Sequence, residues 1–164
     1  MSIAILAKLD QRQPLTEDDR ARLRESLRLT EGLRRFEPGK FDTYFRLGQI
    51  YSALGDYRRA VERFRQYLEL APADEPQISV TLADARFLIA VGLLNQDQPA
   101  QAVVEVSQAL AMYPGVPNYL MIRARALQRL GRSAEAKRDL ARILAAEPGD
   151  QEALKLLREI RRGS

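Results

Sequence analysis

Cysteine and histidine are both absent from this sequence. Without cysteine there is no disulfide, no thiolate metal site and no thiol nucleophile. Without histidine the chain lacks the commonest general base, the one side chain that titrates unperturbed near neutrality, and the commonest zinc ligand. A conventional hydrolytic triad is excluded, and neither an enzymatic activity nor a cofactor is expected. No glycine-rich phosphate cradle occurs either, since SALGDYRRA lacks the glycine spacing and the Lys-Ser/Thr pair. Asp18–Asp19 and Asp74–Glu75 read as helix-start and loop acids, not as metal ligands. No apolar run approaches the roughly 20 residues that would span a bilayer. SIAILAKL near the start is short and has no basic flank before it, a poor signal peptide that reads better as a short docking helix. As the chain stands the expected compartment is the cytoplasm, and the periplasm or envelope if a leader has been removed.

The chain is 46% apolar and 29% charged, the composition of an ordinary globular protein, and its 164 residues suit one domain over 1–164. The net charge of +4 is unevenly spread. Residues 73–116 hold one basic and five acidic residues, while 117–164 hold eleven and six. Nearly all the basic residues are arginine, whose forked donors suit carboxylates.

Proline recurs at Pro38, Pro72, Pro114 and Pro148, with spacings of 34, 42 and 34. Each follows a helical pattern and ends it, because proline has no N–H and disfavours helix in the residue before it. Aligning on these prolines gives units 41–74, 83–116 and 117–150. Gly48, Ala90 and Ala124 fall at position 8 of their units, and Ala60, Ala102 and Ala136 at position 20. Gly55, Asp97 and Gly131 fall at position 15. Small residues at positions 8 and 20 let two antiparallel helices approach closely, with large residues at 4, 7, 11 and 24 filling the space around them. Gly55 and Gly131 supply the positive φ that stops the first helix.

A unit of this length and pattern resembles the tetratricopeptide repeat. The resemblance is strongest in 41–74, where Tyr44, Leu47, Gly48, Tyr51, Gly55, Tyr57, Ala60, Phe64 and Pro72 all lie on the pattern. The other two units depart from it at Arg86 and Arg123, which replace apolar residues. The resemblance implies an all-α fold, a right-handed α-solenoid of antiparallel helix pairs. Residues 1–40 read as a degenerate first repeat, with Thr16 as N-cap and Leu23, Leu27 and Leu33 as its apolar stripe. Residues 151–162 read as a capping helix with Leu154, Leu157 and Ile160 as its stripe. The eight extra residues at 73–82 predict one long helix from about 76 to 95, with an ordered loop as the alternative.

The resemblance also implies a concave groove lined by first helices, with ligand-facing positions 2, 5, 6, 9, 12 and 13. The groove candidates are Phe45, Arg46, Gln49, Phe87, Leu88, Val91, Met121, Ile122, Arg125 and Arg129. The family's two-carboxylate clamp needs asparagines that are replaced here by Gln49 or Val91 and by Leu88 or Ile122, so that mode is not expected. What remains is an apolar centre beside Arg125 and Arg129. It suits a protein or peptide partner with apolar anchors and a few acidic residues. The alternative is ordinary core covered by neighbouring helices, with the arginines as a solvated face.

The leading expectation is therefore a non-enzymatic scaffold or adaptor. Self-association, head to tail or by swapping, is a second reading, motivated by the acidic middle and basic end. A nucleic-acid binder using Arg132, Arg138, Arg142, Arg158, Arg161 and Arg162 is a third. That surface lacks stacking aromatics and has Glu135, Asp139 and Glu159 among its helical neighbours, so nucleic acid is not the expected partner.

Overall fold

The computed structural model describes residues 13–162 together with Ile5 and Lys8. Of the docking helix expected at the start, Ile5 and Lys8 are helical; the rest of that stretch lies outside the described residues. The chain divides into two compact units, Met1–Pro72 and Ala73–Ser164, and every described regular element is helical.

The first unit contains α1 (Glu17–Phe36), α2 (Phe41–Ala53) and α3 (Tyr57–Leu70). Thr16 opens α1 with a reciprocal cap: its hydroxyl accepts from the Asp19 N–H at 3.2 Å, and the Asp19 carboxylate accepts from the Thr16 N–H at 2.9 Å. Leu23 is buried with Ile5 and Ile50, and Leu27 packs against that cluster. Leu33 departs from the expected stripe and is exposed.

The second unit begins with a 3₁₀ turn (Pro76–Ile78) that runs into α4 (Ser79–Asn95). Then follow α5 (Pro99–Met112), α6 (Pro117–Arg129), α7 (Ser133–Ala146) and α8 (Gln151–Arg162). The extra residues thus do extend a helix, with its first turn wound tighter. By length and composition alone Pro76–Asn95 could cross a bilayer, which corrects the expectation that no such stretch exists. Its role in the fold is that of a core helix: Leu82, Ala83, Ala85, Ile89, Ala90 and Leu93 are buried, and α4 packs on α5 and α6.

Three helix pairs, α2/α3, α4/α5 and α6/α7, repeat one design. Their small residues sit where the helices meet: Ala60, Ala90, Ala102, Ala124 and Ala136 are all buried. At Gly48 an added Cβ would lie 2.6 Å from the Phe64 ring, so only glycine admits that ring at full contact. All three pairs turn by the same Schellman closure. The N–H groups of Asp56, Gln98 and Arg132 donate to Tyr51, Leu93 and Leu127, each at 2.9 Å. Gly55, Asp97 and Gly131 occupy the positive-φ position, at 81°, 55° and 71°. Aspartate replaces glycine there because its short polar side chain tolerates that region.

The two arginines that break the apolar pattern bridge their own helix pairs. Arg86 of α4 reaches Glu105 of α5 at 3.3 Å and also Gln108. Arg123 of α6 grips Asp139 of α7 through two bonds of 2.7 and 2.6 Å. At the end of the chain, α8 buries Ala153, Leu156 and Ile160, leaving Leu154 and Leu157 half-buried. The apolar face is thus rotated from the expected one, because residues spaced by three and four share the side that meets α7.

Two measurements test these contacts. Gly48→Ala should lower stability by about 1–3 kcal/mol in urea unfolding through overpacking against Phe64, outweighing a helix-propensity gain of up to about 1 kcal/mol. Asp19 concerns pH. The Lys8 ammonium, then the Thr16 hydroxyl and N–H, hold its carboxyl down at about 2. An unfolded aspartate titrates near 3.9, so the folded state binds the proton less readily. The stabilisation is complete above about pH 4 and is lost as pH falls towards 2. The melting temperature should fall less across that window in Asp19→Asn than in the unaltered chain.

Candidate functional site

Within the second unit α4, α6 and α8 each present one face to a hollow of about 330 Å³. Spacings of three, four and seven residues bring Val91, Leu94 and Asn95 to it from α4, and Ile122, Arg125, Gln128 and Arg129 from α6. Glu152, Lys155, Leu156 and Glu159 come from α8 on the same rule. Val91, Leu94, Ile122 and Leu156 form an apolar floor. Arg125, Arg129 and Lys155 stand among Glu152 and Glu159 on the rim, three cations to two carboxylates.

Those charges already engage the protein itself. Arg125 bonds Glu152 of α8. Arg129 donates to the Leu94 carbonyl at 2.6 Å and lies 3.8 Å from the Asp97 carboxylate. Asn95 donates to the Val91 carbonyl at 2.9 Å.

The structure thus brings four sequence candidates together: Val91, Ile122, Arg125 and Arg129. The other two groups of candidates are placed differently. Phe87 stacks on Tyr119 with ring centroids 5.0 Å apart. The Tyr119 hydroxyl donates to Asp84 at 2.5 Å, and burial followed by that carboxylate pushes the phenol well above its ordinary value. Leu88 is half-buried outside the hollow, and Met121 is buried, only 6% exposed. In the first unit Phe45 sits edge-on to Phe64 and Tyr67, at 5.5 and 5.1 Å, so its ring packs α2 on α3. Gln49 is half-buried. Arg46 is exposed and lines a small hollow with Thr30, Leu33, Glu37, Lys40, Asp42 and Thr43.

The residues missed from sequence are those of α8. The repeat spacing places it both as a cap and as the first helix of a next unit. Counting from Gln151, Glu152, Lys155, Leu156 and Glu159 take ligand-facing positions 2, 5, 6 and 9. The same repeat numbering would have found them.

A second hollow of about 400 Å³ lies along α5, α6 and α7 and gathers Arg123, Arg132, Arg138 and Arg142 with Glu135 and Asp139. Arg123 is committed to Asp139, and Arg132 to Glu135 at 2.6 and 2.8 Å. Two of the four arginines in this hollow are therefore paired internally, and of these Arg132 belongs to the set named from sequence for a polyanion. No group of three or more acidic side chains converges on a common point among the described residues.

The comparisons with known proteins bear on the fold. Residues 41–74 match the tetratricopeptide repeat family. The structure resembles MamA with a TM-score of 0.77 and 16% identity over 99% of this chain and 85% of that one. It resembles the first repeat domain of Spaghetti (RPAP3) bound to the HSP90 peptide SRMEEVD, at 0.66 and 22% over 76% and 92%. The second repeat domain of human RPAP3, in complex with the HSP70 peptide SGPTIEEVD, gives 0.61 and 24% over 70% and 88%. No curated protein sequence matches this one. The fold is that of tetratricopeptide-repeat proteins, an all-α solenoid class built from antiparallel helix pairs, and the sequence match to the family lies in 41–74.

The Arg123–Asp139 pair can be tested directly. Arg123→Met strands a carboxylate whose side chain is 4% exposed, so a loss on the order of 3 kcal/mol is expected in chemical denaturation. The double variant Arg123→Met/Asp139→Leu should recover most of it.

Proposed function

We propose that this protein is a non-enzymatic interaction scaffold that holds a segment of a partner protein in the α4–α6–α8 hollow. The observation that carries this is the hollow's make-up: an apolar floor of Val91, Ile122 and Leu156 beneath a rim of exchangeable ion pairs. Apolar side chains of the partner would cover the floor, and an acidic residue would replace Glu152 on Arg125. Burial of apolar anchors supplies most of the affinity, and the charged rim fixes register and orientation. The fold serves generally for protein interaction without catalysis, and the two RPAP3 domains are seen with bound peptides. That likeness supports the class of ligand; the chemistry of the ligand comes from this chain's own side chains.

The test is affinity capture from native lysate with the unaltered chain, with Val91→Asp/Ile122→Asp, and with Arg158→Glu as a surface control. Partners retained by the unaltered chain and the control but lost from the double variant, at equal helicity by circular dichroism, are the expected result. Equal capture by a folded double variant would count against the site. Replacing Glu152 by glutamine should tighten binding of an acidic partner, read as a lower Kd in titration with the captured segment.

A further inference from the structure

The hollow of about 400 Å³ along α5, α6 and α7 shares no lining residue with the α4–α6–α8 hollow, yet it concentrates charge of one sign. Glu135, Arg138, Asp139 and Arg142 reach it from α7 by spacings of three and four. Arg123 joins them from α6, and Arg132 from the N-cap of α7. Four guanidinium groups against two carboxylates leave an excess of two positive charges. The carboxylates hold two of the arginines edge-on. Arg123 grips Asp139, and Arg132 grips Glu135, each through Nε and Nη2. That leaves the Nη1 group of each without a bond among the described residues. Arg138 and Arg142 form neither an ion pair nor a hydrogen bond among the described residues, although Arg138 lies in the field of Glu135. Arginines one helical turn apart repel each other, a cost that a bound anion would remove. Across from them α5 supplies the Ser107 hydroxyl and Val103, which with Leu127 makes an apolar wall.

We propose that this hollow binds the phosphoryl group of a phosphorylated side chain on a partner protein. A phosphate monoester carries close to two negative charges at neutral pH and three strong acceptor oxygens. Both match the charge excess here and the forked donors of arginine. Arg138 and Arg142 make the direct ion pairs. Arg123 and Arg132, already oriented by their carboxylates, add their unused Nη1 donors. The apolar wall takes the carbon stem of the phosphorylated residue, which free phosphate lacks. A nucleic-acid backbone fits less well, because each phosphodiester carries a single charge and no aromatic side chain lines the hollow for base stacking. Since the two hollows use different residues, either can be lost without the other.

Calorimetric titration of the full chain reads the affinity, and the arginine Nε–H resonances in ¹⁵N NMR locate the contact. The probes are an alanine peptide with one central phosphoserine, its unphosphorylated form, and inorganic phosphate. The phosphopeptide should shift Arg138 and Arg142 and bind at least about ten-fold more tightly than the unphosphorylated peptide. Inorganic phosphate should bind the same arginines several-fold more weakly. Arg138→Gln/Arg142→Gln should abolish binding at unchanged helicity. Arg158→Gln/Arg161→Gln, which removes the same charge from α8, should leave it unaltered. The chain has no histidine, and the charged side chains of the hollow are all arginines and carboxylates. Neither type ordinarily changes charge between about pH 5 and 7.5, whereas the phosphoryl group loses its second proton near about 6. Binding should therefore strengthen several-fold as pH rises through that window. No heat and no resonance shift with either phosphate probe overturns the inference. So does equal loss in the two double variants, an affinity insensitive to pH, or inorganic phosphate binding as tightly as the phosphopeptide. Tighter binding of a single-stranded oligonucleotide, or of vesicles containing phosphatidate, through the same arginines would overturn it in favour of those ligands.

Discussion

The fold depends on how closely two antiparallel helices can approach. Gly48 leaves room for the Phe64 ring, and the alanine pairs Ala90/Ala102 and Ala124/Ala136 keep the other two contacts narrow. With the backbones this near, the larger residues around the contact close over it and leave little unfilled volume. Leu47, Phe64, Leu120, Leu140 and Ile143 are all essentially inaccessible. The same contact fixes which face of each first helix is left over. Once Ala90 and Ala124 face inward, Val91, Ile122 and Arg125 are turned to the other side, where they line the hollow. The candidate site is thus what remains of the helix surface after packing has taken its share.

The turn between paired helices follows from the same economy of space. A Schellman closure reverses the chain in few residues and satisfies the last carbonyls of the first helix. Its recurrence at Gly55, Asp97 and Gly131 shows that the geometry, and not the residue type, is what repeats.

Much of this was legible in the sequence because it rests on local spacing and side-chain volume. The small residues at positions 8 and 20, the terminating prolines and the positive-φ positions all announce themselves at fixed intervals. What could not be read depends on which surface a neighbour covers. Leu33 belongs to an apolar periodicity that also contains Leu23, but only the packing of the neighbouring helices shows that Leu23 is buried and Leu33 exposed. Met121 and Ile122 are adjacent and equally apolar, yet one is buried and the other lines the hollow. Arg86 and Arg123 look like defects until their partners, 19 and 16 residues further on, are seen beside them. The contribution of α8 to the candidate site follows from the same repeat numbering once its ligand-facing positions are counted from Gln151.

Those two arginines have a consequence for how the chain finds its native pairing. Helices with nearly the same small-residue contacts are exposed to exchange, since a first helix could accept the second helix of another repeat. Two native pairs carry a charge contact at one equivalent place on the second helix, Glu105 in α5 and Asp139 in α7, while Arg63 holds that place in α3 and pairs with Glu31 of α1. If α6 captured α3 instead of α7, Arg123 would meet Arg63, and Asp139 would be left without its cation. Like charge in a closely packed contact is a strong deterrent. The interruptions in the repeat pattern thus disfavour the pairing of α6 with α3, while Glu105 and Asp139 could each serve either arginine.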